Sequence, residues 1–474
     1  MRGEAFKIGD GIGEADRQSL VETLQSFPNV FSGKPGRTHL MQHEIELTDE
    51  NVGRQPRFKI PVALKPQVEA EIKQLLNDGL IRHYDGQYAA NLVIVKKAGG
   101  HIRICTDLRV INAKTRPCKY KGPDIQEVVH KAASSKFVSR IDLKQFFWQI
   151  PLHPDSQQYC GFYVEGVGQF CWTVLPFGAR NASQTGQKLI DRVIANMREF
   201  AIAYQDDLII YSQTLSDHIG HIKAILHSLQ TAGLTANRSK CEFVFSKVQI
   251  LGHLIDTRIC EIRPLPDKLE AIQNIMPDKI TNKSKLKSVL GLINFFRDYI
   301  KNCSQLALPL TAMLKKNKPD NLVWNEESIQ ALEQLKNALL SDVCLFAPNL
   351  SAPWQLYTDA SHGAVGAWIG QPGPNGQVRP IAFISKKLAG SQLNWSIVEK
   401  ELYSVVWSAQ LFSHYLYNND VELFSDHRPL QWLYSLTNHS PRLARWSILL
   451  QNYNIKPAYI KGSLNGPADF LSRF

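Results

Sequence analysis

Apolar and polar positions alternate along this chain with changing period. Gln67–Asp78 carries Val68, Ile72, Leu75 and Leu76 at helical spacing and predicts an amphipathic helix. Short apolar runs follow: NLVIVKK, HIRICTDL, FVSRIDL, YCGFYV, AIAYQDDLIIYS and VQILGHLID. Rich in Val, Ile, Phe and Tyr, they predict strands. Helical spacing interrupts them at Ser183–Glu199 and His218–Thr231. Strands and helices mixed without strict βαβ spacing predict an α+β unit with a largely antiparallel sheet. Beyond residue 258 the pattern turns helical, in KLEAIQNI and then KSKLKSVLGLINFFRDYIKN. A second, α/β unit opens near Pro353 with a strand (WQLYTDAS) and a hairpin (GAVGAWIGQ to VRPIAFISKKL). A long helix (SIVEKELYSVVWSAQLFSHYL) and a strand (VELFSDH) follow, then helix, strand and a final helix. Residues 1–37, polar and glycine-containing, are expected to form a flexible N-terminal segment.

Composition narrows the class. A chain of 474 residues exceeds one compact core, and 44% hydrophobic with 20% charged residues fits folded domains rather than bulk disorder. No apolar run approaches a membrane span, and MRGEAFKIGDGIGEADRQ lacks the apolar centre of a signal peptide. A soluble cytoplasmic protein without a membrane partner is the expectation. The eight cysteines form no CxxC pair, which gives no support to a zinc ribbon or a redox motif. The net charge of +11 suits a polyanionic partner. Between Thr281 and Asp320 eight Lys or Arg face only Asp298 and Asp320, which reads as a phosphate-binding surface or as a solvated helix face.

Two acidic constellations carry the candidate chemistry. YQDD at Tyr204–Asp207, between apolar Ala201–Ala203 and Leu208–Ile210, predicts two carboxylates at a hairpin tip. Asp142 ends another strand-like run and could join Asp206 and Asp207 on a neighbouring strand. Adjacent carboxylates repel, so cations suit them, and three acids could hold the two magnesium ions that phosphoryl transfer uses. Taken alone, YQDD reads equally as a polar hairpin tip. In the second unit Asp359, Glu401, Asp426 and Asp469 fall on strand, helix, strand and helix and could converge at one sheet edge. Each of them alone reads as a solvated surface acid. Periodicity does not choose between Glu399 and Glu401, since positions two apart on a helix point to different faces.

IDLKQFFWQIPL around Asp142, LPFGARNASQTGQ at Leu175–Gln187, YQDD, GLTANRSKC at Gly233–Cys241 and ILGHLI at Ile250–Ile255 resemble, in order, the motifs of reverse transcriptases. RICTDLRVIN at Arg103–Asn112 precedes them. TDAS, EKEL, SDHRPL and ADFLSR resemble the ribonuclease H of the same enzymes. From residue 40 to the end the chain is similar to the reverse transcriptase–ribonuclease H of Gypsy-class (Metaviridae) LTR retrotransposons.

That resemblance implies a right-hand polymerase followed by an α/β ribonuclease H: fingers and palm over 38–258, thumb over 259–320, a linking segment over 321–352 and ribonuclease H over 353–474. It implies RNA- and DNA-directed DNA synthesis, cleavage of RNA in hybrids, and two Mg²⁺ per active site, with Mn²⁺ able to substitute. Asp142, Asp206 and Asp207 become one set of catalytic metal ligands. Asp359, Glu401 (the second glutamate of EKEL), Asp426 and Asp469 become the other. Lys96 and Arg103 resemble the clamp on the incoming triphosphate, Phe147 the steric gate against a ribose 2′-hydroxyl, and Lys240 the lysine that protonates pyrophosphate. Phe177 and Gln205 fall at the nucleotide. Leu251, Gly252 and His253 fall on the primer grip. Lys285, Lys287, Asn294 and Arg297 lie on a helix resembling the one that follows the hybrid through its phosphates. The implied partners are primer-template and RNA–DNA hybrid, deoxynucleoside triphosphates and a tRNA or other primer. A monomer or homodimer in cytoplasmic virus-like particles is expected.

Some positions depart from the pattern. Phe177 stands where retroviral relatives carry Gln, and Ser183 and Gly186 replace a more usual Pro and Phe; these changes touch the template and nucleotide surface. No His follows His439, so the His that often precedes the last Asp is missing and slower RNA cleavage is expected. Residues 321–352 leave no room for a separate connection domain. A domesticated binding or particle-forming protein is the alternative from another class, and all seven acids stand against it. The ribonuclease H and compact fingers stand against a self-priming polymerase.

Overall fold

The computed structural model describes residues 6–49, 51, 58–96, 102–300, 303–340, 344–373, 376–427 and 441–460. The chain divides into two compact units, Met1–Val248 and Gln249–Phe474.

The first unit is built on a five-stranded sheet ordered Lys7–Ile8, Glu242–Phe245, Phe137–Asp142, Asp207–Ser212, Ala201–Tyr204. Only the first pair is parallel. Val138, Ile141, Leu208, Ile209 and Ile210 are buried from it. Helices Ile125–Ala133, Ala182–Val193 and Leu215–Thr231 pack on this sheet. The last of them starts where Thr214 accepts a hydrogen bond from the Asp217 amide, and buries Ile222, Ile225, Leu226 and Leu229. A three-stranded sheet (Ile81–His83, Gly168–Trp172, Gly161–Val164) and the hairpin Leu92–Lys96 with Ile102–Thr106 lie beside it in sequence among the described residues.

The expected flexibility of residues 1–37 does not describe the chain from residue 6 onward. Lys7–Ile8 joins the sheet edge, and helix Glu14–Gln25 buries Leu20 and Leu24, with Phe27 and Val30 buried just after it. A few apolar residues at helical spacing anchor a segment whose polar majority hides them in composition. Residues 1–5 lie outside the described residues.

In the second unit, strand Lys247–Ile250, where the chain passes between units, begins a four-stranded sheet. It continues through His253–Asp256, Glu261–Pro264 and Leu345–Phe346. The segment expected to be a linker contains helix Glu326–Leu340, which buries Ala331, Leu332, Leu335 and Leu339. Lys336 Nζ donates to the Ile275 carbonyl, and Leu345–Phe346 pairs with Glu261 and Ile262. Residues 321–340 and 344–346 therefore complete the helical region rather than bridging from it, because the apolar spacing of the helix gives it a face to bury.

A five-stranded sheet then runs in the order Val378–Lys387, Ala364–Pro372, Trp354–Ala360, Asp420–Ser425, Asn454–Tyr459. The first three strands are antiparallel and the last two join in parallel. Helix Ile397–Leu411 packs on it over Trp354, Leu356, Ala367 and Ile369 through Leu402, Val405 and Ala409. Mixed α/β architecture in both units agrees with the expected fold class. No helix among the described residues is long and apolar enough to cross a membrane.

Candidate active sites

In the first unit Asp142 and Asp207 are partners across an antiparallel pair, so their carboxylates leave the same sheet face. Asp206 sits in the two-residue loop between Tyr204 and Asp207, and its carbonyl accepts from the Leu143 amide at 2.9 Å. The other loop residue, Gln205, has φ +57°, a left-handed conformation costly for a side chain with a Cβ. Its amide is held by Gln187 Oε1 at 2.9 Å. The buried Gln187 amide nitrogen in turn donates to the Ala203 carbonyl and to Asp191. Helix Ala182–Val193 thus fixes the turn that presents the two aspartates.

Burial raises the Asp142 carboxyl, with Asp206 adding, against the pull of Lys240 and Arg140. Burial also pushes Asp207 up to about 6, with Asp206 and Asp142 adding to the effect. Lys240 Nζ lies 3.6 Å from Asp142, and Arg140 bridges Asp207 at 3.9 Å and Glu242 at 3.4 Å. Acids that are both desolvated and mutually repelling fit divalent cations, whose charge offsets both costs.

In the second unit Trp354–Ala360 runs parallel to Asp420–Ser425, with Tyr357 opposite Phe424, so that Asp359 and Asp426 each follow two residues beyond that pair. Glu401 reaches them from helix Ile397–Leu411, and one carboxylate oxygen of each lies within 4.8 Å of the others. Asp359 and Glu401 are buried; Asp426 is half-buried. Glu401 also accepts from the Ala360 amide at 3.2 Å. Glu399 does something else: it accepts from the Ser396 amide at the helix start and pairs with Arg442 at 2.8 Å. The helix therefore brings Glu401, and not Glu399, into the cluster. This triad could hold a metal ion. Asp469 lies outside the described residues.

Lys96 closes its strand opposite Ile102. Arg103 is exposed, with its guanidinium 5.0 Å above the Phe177 ring. Phe177 also meets Phe147 edge-on at 5.9 Å. Phe147 is half-buried, whereas Phe146 is 3% exposed and belongs to the core. Gly186 explains one departure from the family pattern: a Cβ there would come within 2.7 Å of the Phe146 ring and 3.2 Å of Phe147.

In the second unit Leu251 and Gly252 form a tight turn with φ +47° and +88°, and a Cβ on Gly252 would sit 3.2 Å from Phe295. His253, expected on the primer grip, opens the strand His253–Asp256 directly after this turn, with its ring turned inward. It is 8% exposed, bonds the Tyr299 hydroxyl at 2.9 Å and stacks on Phe295. Strand alternation turns it inward, where burial lowers its pKa to about 4. Lys285, Lys287 and Asn294 are exposed along helix Lys283–Phe295, and Arg297 is half-buried beyond it.

Sequence reasoning passes over Gln187 and Arg140. Gln187 lies inside one of the polymerase motifs, but its contact with the YQDD turn is long-range, and no periodicity reports it. Arg140 reads as an ordinary strand residue.

Residues 95–255 match the family described as reverse transcriptase (RNA-dependent DNA polymerase), and 349–453 the RNase H-like domain found in reverse transcriptase. The chain is 32% identical to the retrovirus-related Pol polyprotein from transposon 297 of Drosophila melanogaster, over 98% of this chain and 44% of that protein. It is 33% identical to that from transposon gypsy of the same organism, over 98% and 46%. For the Tf2-3 transposon polyprotein of Schizosaccharomyces pombe the identity is 31%, over 91% and 32%. It thus spans less than half the length of these relatives. The foamy viral protease-reverse transcriptase dRH in complex with dsDNA superposes with TM-score 0.81 at 23% identity, over 95% of this chain and 80% of that one. The foamy viral protease-reverse transcriptase in complex with RNA/DNA hybrid gives 0.74, over 95% and 61%, and both agree in fold. With a reverse transcriptase domain followed by its ribonuclease H-like domain, the chain belongs to the reverse transcriptase–ribonuclease H family of Gypsy-class LTR retrotransposons.

Proposed function

We propose that this chain polymerises DNA on RNA and DNA templates at Asp142, Asp206 and Asp207, and cleaves the RNA of the resulting hybrid at Asp359, Glu401 and Asp426, joined by Asp469. The observation that carries the reading is the pair of carboxylate clusters, one in each unit, each inside the matching family domain. Magnesium is the proposed cation in both; when bound it lowers the pKa of an attacking hydroxyl or water and neutralises charge on the leaving oxygen.

The chain's own residues do the rest. The Gln187-held turn presents Asp206 and Asp207 without needing to reorganise. Lys240 places an ammonium beside Asp142, where it can give a proton to departing pyrophosphate. Arg103 and Lys96 supply cationic contacts to the triphosphate. Phe147, braced by Phe177, excludes a ribose 2′-hydroxyl. Lys285, Lys287 and Asn294 contact phosphates of primer-template without reading sequence. Deoxynucleoside triphosphates, a tRNA or other primer, and work inside virus-like particles complete the proposal.

Metal dependence gives the test. A DNA primer extended on labelled RNA with Mg²⁺ should yield full-length DNA and shortened RNA, and EDTA should stop both. Extension or cleavage that survives chelation would contradict the assignment of that site.

A further inference from the structure

Lys240 is 62% exposed at its side chain and pairs with Asp142 at 3.6 Å. An exposed side chain takes its aim from the backbone turn that carries it. That turn is tied to the strand below: the Asn237 amide donates to the Asp142 carbonyl at 2.8 Å, and the Lys240 and Cys241 amides close back on the Asn237 carbonyl at 3.0 and 3.1 Å. One residue of the turn points the other way. The Arg238 guanidinium lies 3.9 Å above the Phe6 ring, and its buried Nε has no hydrogen-bond partner among the described residues.

Phe6 is itself fixed. It packs edge-on against Phe31 at 5.0 Å and Phe243 at 6.1 Å, and the strand it opens runs parallel to Glu242–Phe245, with Gly9 donating to the Phe243 carbonyl. The same N-terminal segment holds the approach to the turn. The Ala236 amide donates to the Val30 carbonyl, the Gly36 amide to the Thr235 hydroxyl, and that hydroxyl to the Lys34 carbonyl.

We propose that the N-terminal strand is a working part of the polymerase site, with Phe6 and Arg238 as positioning residues that hold the 237–241 turn so that Lys240 reaches Asp142. The pairing of ring and guanidinium fits this role, because an aromatic face accepts the cation without a fixed hydrogen-bond geometry and leaves the turn's backbone amides to its own carbonyls. The inference rests on the role proposed for Lys240 in nucleotidyl transfer.

The test is steady-state primer extension by the full chain, with variants matched for thermal midpoint. Phe6→Ala should lower kcat about tenfold or more through misplacement of the lysine, with KM for nucleotide and primer-template little changed. Phe6→Tyr, which keeps the ring, should restore turnover. If Phe6→Ala does not fold, Arg238→Met addresses the same contact from the other side and should show the same kcat loss. In a Lys240→Ala background either change should add nothing, because the group they aim is gone. A full additive loss in that background, or Phe6→Tyr as impaired as Phe6→Ala, would overturn the inference. Unchanged kcat in both single variants, with Lys240→Ala slow, would overturn it too. If Lys240→Ala itself extends normally, the role of Lys240 fails instead.

Discussion

Phe146 and Phe147 are adjacent and identical, yet they occupy different environments. Phe146 is buried under Gly186, while Phe147 is half-buried against Phe177. Phe147→Val should therefore raise ribonucleotide use, measured as the ratio of kcat/KM for deoxy- and ribonucleotides, which should fall about tenfold or more. An unchanged ratio would move the gate elsewhere. At this scale the acids that the structure brings together, Asp142 with Asp207 and Asp359 with Glu401 and Asp426, are legible because motif order names them. Gly186 stands out only as a departure, since the ring it makes room for is 40 residues away in sequence. The inward turn of the His253 ring escapes, because a motif match carries no information on which strand face is buried.

The YQDD turn is a short element held from outside itself. Gln187→Leu would keep the volume but leave the Gln205 amide and the Ala203 carbonyl without their partner. Unsatisfied buried groups cost about 1–3 kcal/mol each, so the variant should melt earlier and extend more slowly, with RNA cleavage unchanged. Normal extension on a stable protein would show that the turn needs no such support. Strong periodicity makes helices such as Leu215–Thr231 readable to within a few residues. The elements that escape, Lys7–Ile8 and Leu345–Phe346, are two residues long and exist only through distant partners. The helix Glu326–Leu340 has readable spacing but passes for a linker because its flanks are polar and proline-containing.

Across the whole molecule, three buried imidazoles link stability to pH. Burial lowers His43 and His253 to about 4 and His218 to about 3. Their unfolded forms take up protons near pH 6.5 while the folded forms stay neutral. The stability they carry is thus complete above that pH and is lost as pH falls, by about 2 kcal/mol for each between pH 7 and 5. Asp207, raised to about 6, acts in the opposite sense and offsets less than one imidazole. Denaturant midpoints should therefore drop between pH 7 and 5, and a flat profile would mean the imidazoles are not buried neutral. The division into a polymerase-like and a ribonuclease H-like part is readable from motif order, whereas the boundary between compact units, at Val248 and Gln249, depends on packing that no motif marks.

The two carboxylate clusters should be separable, and one experiment asks this directly. Wild type, Asp206→Asn and Asp426→Asn would each be given a labelled RNA template annealed to a DNA primer, with Mg²⁺ and deoxynucleotides, and both strands followed together. Asp206→Asn should lose extension and still cut the RNA of a preformed hybrid, and Asp426→Asn should extend normally and leave the RNA intact. Loss of both activities in either folded variant, or retention of both, would contradict an enzyme with two independent sites.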